Sequence, residues 1–170
     1  FYNSATDLQV SDTLKVYLRN TVTPFAKVDS AKAVVSSNGS AELLFGNAPT
    51  GQYYIVTTHR NSLETWSKSG GESLVRGSAV NYNFSTASSQ AYGSNMKQVD
   101  TSPAMFADFS GDVNQDGFIN LSDVITIYND AGNFVTGYKV TDTNGDSITD
   151  LSDVLVTNNN SVGFVTVVKP

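Results

Sequence analysis

Twelve-residue stretches rich in side-chain oxygen occur twice near the C-terminal end of this 170-residue chain, thirty residues apart and in register. The first runs from Asp112 to Asp123, the second from Asp142 to Asp153. Places one, three, five, nine and twelve are Asp112, Asn114, Asp116, Asn120 and Asp123 in the first, and Asp142, Asn144, Asp146, Asp150 and Asp153 in the second. Loops of this spacing hold hard cations that take six to eight oxygens at about 2.3–2.6 Å. The seventh place, Phe118 or Ile148, would lend a main-chain carbonyl, so its side chain is free to be apolar. The pattern predicts two Ca2+ sites.

The repeat extends past the loops. Aligned without a gap, residues 112–140 and 142–170 are identical at twelve of twenty-nine positions, including Leu121/Leu151, Ser122/Ser152, Val124/Val154, Phe134/Phe164 and Lys139/Lys169. Two copies are too few for a solenoid, which needs about three or more stacked units. A pseudo-twofold pair around one small core is expected instead.

Charge divides the chain at the same place. Residues 1–107 carry eight Lys/Arg against seven Asp/Glu, whereas residues 108–170 carry two against nine. Two Ca2+ would reduce the tail from −7 to −3 and relieve repulsion that opposes compaction. A 63-residue unit with few large apolar residues is marginal alone, and bound metal is one of the usual supports at that size. The ion is therefore read as structural.

The second loop has Ser147 where the first has Gly117. The sharp turn there demands positive φ, which costs a non-Gly residue about 1–2 kcal/mol. The second cage is expected to be the more strained, with its four carboxylates against three compensating through charge. The segments that follow, Val124–Asn129 and Val154–Asn159, are short, β-branched and poor in helix propensity.

This pattern resembles a dockerin, the duplicated calcium-binding module that docks secreted enzymes onto cohesin domains. Asp123 and Asp153 stand where an ordinary EF-hand loop has Glu, and Phe109-Ser110-Gly111 cannot form an entering helix. The resemblance implies a helix after each loop and a partner-binding role for Leu121, Ser122, Leu151 and Ser152. Because those pairs are identical, it also implies two docking orientations on a cohesin-like partner.

The first hundred residues read as all-β. Leu14–Arg19, Ala31–Ser36, Ala41–Phe45, Tyr53–Arg60, Glu64–Ser67 and Tyr82–Ser85 are short runs rich in Val, Tyr and Phe, several alternating with period two. Asn38-Gly39 and Pro49-Thr50-Gly51 are turn signals between them. Short strands at this spacing suggest a β-sandwich. The expected organisation is a β-sandwich over residues 1–107 followed by a small α module of two calcium loops over 108–170.

Residues 51–62 (GQYYIVTTHRNS) and 91–96 (AYGSNM), together with the calcium loops, resemble non-catalytic C-terminal regions of large secreted bacterial proteins of the Bacteroidota–Ignavibacteria group. The sandwich is similar to the prealbumin-like and Ig-like spacer domains of surface adhesins. Those likenesses imply an extracellular, cell-surface setting, which agrees with loops suited to millimolar Ca2+.

Other function classes find less support. The chain has no Cys, and its single His59 sits at a strand end beside Arg60 with no nucleophile and acid placed by spacing. No phosphate-cradling Gly-rich loop and no basic stripe for nucleic acid is present, and no apolar run of about twenty residues crosses a membrane. The reading is a non-catalytic module for protein–protein attachment. Alternatives are a filament or surface-layer subunit that exchanges strands with copies of itself, using Phe1–Thr6 or Phe164–Pro170, and a glycan-binding sandwich with an aromatic platform of Tyr53, Tyr54, Trp66, Tyr82 and Tyr92.

Overall fold

The computed structural model describes residues 12–36 and 38–170. They are mainly β, with antiparallel sheets and two helices, consistent with the sandwich expectation. Strands β1 (Asp12–Asn20), β2 (Lys27–Val35), β3 (Gly51–His59) and β4 (Ser62–Trp66) form one antiparallel sheet in the order β2-β1-β3-β4. A short β5 (Glu72–Leu74) continues on β3 beside Gly51–Tyr53. A separate hairpin joins β6 (Lys97–Thr101) to β7 (Ala104–Ala107).

Both faces of the sheet are covered, and alternation along each strand explains how. Leu18 points to one side with Tyr53 and Ile55, against Phe45 and Ala48, and Val16 shares that side by alternation. Tyr17 points to the other with Tyr54, Val56 and Trp66, against Phe25 and Tyr92. Neighbouring Tyr53 and Tyr54 are thus both buried, one in each core. Tyr54 and Trp66 meet edge to face with centroids 5.5 Å apart, and Phe25 packs edgewise on Trp66 at 6.2 Å.

Irregular chain supplies these covers, which is where the strand expectations fail. Ala41–Phe45 is not a strand, because the Asp29 carboxylate accepts the N–H groups of Asn47 at 2.7 Å and Ala48 at 3.0 Å and draws the segment across the sheet face. Tyr82–Ser85 gives way to a 3-10 turn, Phe84–Thr86, whose start is held by the Asn83 side chain accepting from Ser85 N. The Asn38-Gly39 turn does form, with Gly39 at φ 80°, but it leads into that cover and not into a paired strand.

Helices α1 (Leu121–Gly132) and α2 (Leu151–Val162) follow the two loops, each twelve residues long despite their weak propensity. Capping compensates. Asn120 Oδ1 accepts from Ser122 N at 2.8 Å while Asp123 Oδ2 accepts from Asn120 N at 3.0 Å. Asp150 and Asp153 repeat the same reciprocal box at the start of α2, an arrangement worth about 0.5–2 kcal/mol per cap. No helix enters either loop; Ser110 instead bridges to Ser62 of β4.

The two repeats pair as expected. Phe118 bridges to Thr166, and Thr136 bridges to Ile148, so each loop is closed by the exit segment of the other repeat. Ile119, Ile127, Thr141, Thr149 and Thr157 are all at or below 2 % exposed and form the shared interior. Equivalent positions are apolar in the first repeat and Thr in the second (Ile119/Thr149, Ile127/Thr157). Phe164–Pro170, the suggested strand donor, is engaged with its own chain through Val167 N to Gly117 O and Asn95 Nδ2 to Thr166 O. The other suggested donor, Phe1–Thr6, lies outside the described residues.

Candidate metal centres and their flanking faces

Both loops fold by the same set of side-chain-to-backbone bonds. Asp112 Oδ1 and Oδ2 accept from Asp116 N and Gly117 N at 3.1 Å each; Asp142 accepts from Asp146 N and Ser147 N at the same distances. Asn114 Oδ1 accepts from Asp116 N, and Asn144 Oδ1 from Asp146 N. Asp116 and Asp146 accept from Phe118 N and Ile148 N at 2.9 Å. The last carboxylate reaches back to the start of its loop. Asp123 Oδ1 accepts from Val113 N and Asn114 N, and Asp153 Oδ1 from Thr143 N and Asn144 N. The loop sequence thus curls each segment around its oxygen donors.

Ser147 adopts φ 68° at the turn where Gly117 has φ 87°. Two places earlier the assignment is reversed, with Gln115 at φ 59° and Gly145 at φ 82°. Each loop therefore carries two left-handed positions, one occupied by Gly and one not. The expectation of a more strained second loop is corrected: Gln115 balances Ser147, each at about 1–2 kcal/mol.

Four of the proposed ligands, Asp112, Asp123, Asp142 and Asp153, are 2 % exposed or less. Burial pushes the Asp112 carboxyl up to about 6, with the Asp123 and Asp116 charges adding and the Gly117 and Asp116 N–H groups opposing. Burial likewise raises Asp142 and Asp153 against their own N–H donors. At the exposed rim, the Ser152 hydroxyl and N–H hold Asp150 below the usual carboxylate range. Among the described residues no group of three or more His, Cys, Asp or Glu side chains gathers into a metal cluster. The loops place Asn and main-chain oxygens between their carboxylates instead. An ionised carboxylate has about four lone-pair sites, and two donors on Asp112 and three on Asp123 leave capacity for a cation. The donor set fits a hard divalent ion.

The helices turn their polar loop ends inward and leave an apolar outer face. Leu121 and Leu151 are 66 % and 70 % exposed, and Ile125, Tyr128 and Leu155 continue along the same helices. Phe134 and Phe164, each in the left-handed region after its helix, are 87 % and 89 % exposed. Tyr128, Phe134, Ile148 and Leu151 line a groove of about 400 Å³ between the end of α1 and the start of α2. Ser122 and Ser152 are exposed in the first turns of α1 and α2, each Oγ accepting from the Asn114 or Asn144 side-chain amide.

Sequence reading missed the joint between the sheet and the second loop. Arg60 Nη1 and Asn61 Nδ2 donate to Asp142 O at 3.1 and 2.7 Å, and Arg60 Nη2 lies 3.6 Å from the Asp142 carboxylate. Arg60 Nε also donates to Asp12 Oδ2 at 2.9 Å, and the Tyr138 hydroxyl donates to the other Asp12 oxygen. His59 Nε2 meets Asp12 at 2.9 Å while Nδ1 faces Asn61 Oδ1 at 3.0 Å and Ser62 Oγ at 3.5 Å. Although this set contains Ser, His and Asp, Ser62 is 1 % exposed within backbone pairing, where no substrate reaches it. Only the adjacency of four polar residues at a hairpin turn hinted at a hub; partners eighty residues away carry no local signal.

The aromatic platform does not form. Tyr53, Tyr54 and Trp66 are each at or below 5 % exposed, so they pack the two cores and leave no flat outer surface. No helix among the described residues is long and apolar enough to cross a membrane.

No family model matches the chain, and no curated relative matches its sequence. Similar solved structures include chains from two interface mutants, C-terminal and N-terminal, of a type II cohesin–X–dockerin complex from Acetivibrio cellulolyticus. They are 23 % and 22 % identical, cover 87 % of this chain and 80 % of theirs, and give TM-scores of 0.45 and 0.46. A likeness of that degree assigns no partner.

Proposed function

We propose that this chain is a non-catalytic extracellular module for protein–protein attachment, in which two Ca2+ ions order the C-terminal repeat and a helical face is offered to a protein partner. Asp112, Asn114, Asp116, Asn120, Asp123 and the Phe118 carbonyl would hold one ion. Asp142, Asn144, Asp146, Asp150, Asp153 and the Ile148 carbonyl would hold the other. Bound there, the ion supplies charge neutralisation and rigidity. One observation carries the attachment reading: the apolar row Leu121, Ile125, Tyr128 and its counterpart Leu151, Leu155 lie uncovered on the repeat, and contiguous apolar surface of this kind marks interaction sites. The test is calorimetric titration with Ca2+ followed by capture of a cohesin-like domain. Two ions per chain and Ca2+-dependent capture support the reading. No binding of Ca2+ at millimolar concentration overturns it.

A second reading rests on β2, whose outer edge pairs with no strand among the described residues. Such an edge accepts a strand from a neighbour and would build a filament of copies. Exposed Lys27 and Lys32 on that strand oppose edge-to-edge pairing, so attachment is preferred. Polymers seen by light scattering of the purified chain alone would reverse that preference.

A further inference from the structure

Asp112 and Asp142 open equivalent loops, yet they meet different neighbours. The main-chain carbonyl of Asp112 accepts the neutral Gln115 amide, Nε2 to O at 2.7 Å. The carbonyl of Asp142 accepts Arg60 Nη1 at 3.1 Å and Asn61 Nδ2 at 2.7 Å. That brings Arg60 Nη2 to 3.6 Å from the Asp142 carboxylate, with the two side chains only 11 % and 3 % exposed. Solvent ions screen so enclosed a pair little. Among the described residues no ion pair reaches Asp112, Asp116 or Asp123.

The two carboxylates also differ in what they can still accept. An ionised carboxylate offers about four lone-pair sites. Asp142 Oδ1 takes Gly145 N at 2.8 Å and Asp146 N at 3.1 Å, Oδ2 takes Ser147 N at 3.1 Å, and Arg60 Nη2 faces that same Oδ2. Asp112 takes only Asp116 N and Gly117 N. An ion entering the second loop must displace the guanidinium, whereas one entering the first displaces no protein cation. The extra carboxylate, Asp150, gives the second loop no advantage in charge. With Arg60 counted, its four carboxylates carry the same net charge as the three of the first loop.

We infer that Arg60 is a resident competitor for the second cage: its guanidinium occupies Asp142 until Ca2+ displaces it, so the first loop loads before the second. The inference rests on the reading of both loops as Ca2+ sites. Loading disturbs only one of the contacts Arg60 makes. Its Nε stays on Asp12 Oδ2 at 2.9 Å, and Asn61 keeps the Asp142 carbonyl in place. Because Arg60 follows β3 directly, occupancy of the second loop is transmitted to the sheet, and occupancy of the first is not.

Calorimetric titration of the full chain with Ca2+, in Asp112→Ala and Asp142→Ala backgrounds, reads each site alone. Each background is combined with Arg60→Met, which removes the charge and keeps an aliphatic stem beside Tyr138, and with Arg60→Lys, which keeps the charge. In Asp112→Ala the remaining site should tighten about tenfold with Arg60→Met and clearly less with Arg60→Lys. In Asp142→Ala neither change should move the remaining site. A merely structural Arg60 predicts the opposite sign, since its removal would loosen the loop and weaken binding. The parent chain supplies a readout free of any variant: the Arg60 guanidinium N–H resonances should move at the second equivalent of Ca2+ and not at the first. Movement at the first equivalent, or unchanged or weaker second-site affinity in a cooperatively melting Arg60→Met, overturns the inference while two bound ions leave the Ca2+ reading standing. A parent that binds no Ca2+ overturns both.

Discussion

Arg60 grips Asp142 at two points, its main-chain carbonyl at 3.1 Å and its carboxylate at 3.6 Å. Asp142 is the first residue of the second loop and Arg60 follows the end of β3, so this one side chain ties the sheet to a proposed cation ligand. Arg60 also stacks over Tyr138 with its guanidinium carbon 4.6 Å from the ring centre.

Replacing Arg60 with Ala leaves Asp12 and Asp142 without their shared cation. We expect a loss of about 2–4 kcal/mol and, in calorimetry, a second transition as the repeat melts apart from the sheet. A single unshifted transition would refute the coupling.

Calcium removal should act on the repeat first. At a free ion concentration one hundred times Kd, binding adds about 2.7 kcal/mol per site, so chelator should split off a lower-temperature transition for residues 108–170, ahead of the melting of the sheet. Asp112→Ala and Asp142→Ala should each reduce the titrated stoichiometry from two ions to one.

Ser147→Gly should stabilise the second loop by about 0.5–1 kcal/mol, since relief of left-handed strain is partly offset by a freer unfolded chain. Gln115→Gly should do the same in the first loop. Denaturant midpoints of the two variants, measured at saturating Ca2+, check that the strain is shared; a gain confined to Ser147 would contradict it.

Asp29 gives a pH signature away from the metal loops. The Asn47 N–H chiefly holds its carboxyl below the usual range, with the Ser30 and Ala48 N–H groups helping and burial opposing. A folded value below the unfolded one of about 4 means the stabilisation is complete above the unfolded value and fades as pH falls through the folded one. Asp29→Asn should therefore lose about 1–3 kcal/mol at pH 7, with the gap closing in strong acid. Urea midpoints at pH 7 and pH 3 test this.

The proposed docking face predicts a selective variant. Leu121→Asp with Leu151→Asp should abolish partner capture while leaving Ca2+ stoichiometry and melting behaviour unchanged, because both side chains are mostly exposed. Simultaneous loss of Ca2+ binding would show that the face is structural.

The loops were legible because their information is local: Asp112 and Asp123 bond to backbone groups within eleven residues, and spacing encodes that. So were β1, β3 and β4, whose Val-, Tyr- and Leu-rich runs reflect burial on both sides. The helices were understated because propensity ignores capping by Asn120 and Asp150. Ala41–Phe45 read as a strand since its alternation is real, yet Asp29 redirects it from eighteen residues away. The Arg60–Asp142 joint carried no local signal beyond four adjacent polar residues at a hairpin turn, and the polar interior Thr141–Thr149–Thr157 looked like loop composition.

The crossed bridges Phe118–Thr166 and Thr136–Ile148 make the duplication obligatory. Each half lends the other its final rung, so a singleton would expose an open rung and half an interior. Occupying either cage should then help assemble its twin, and an ancestor with a single copy could have acquired this architecture only as a homodimer.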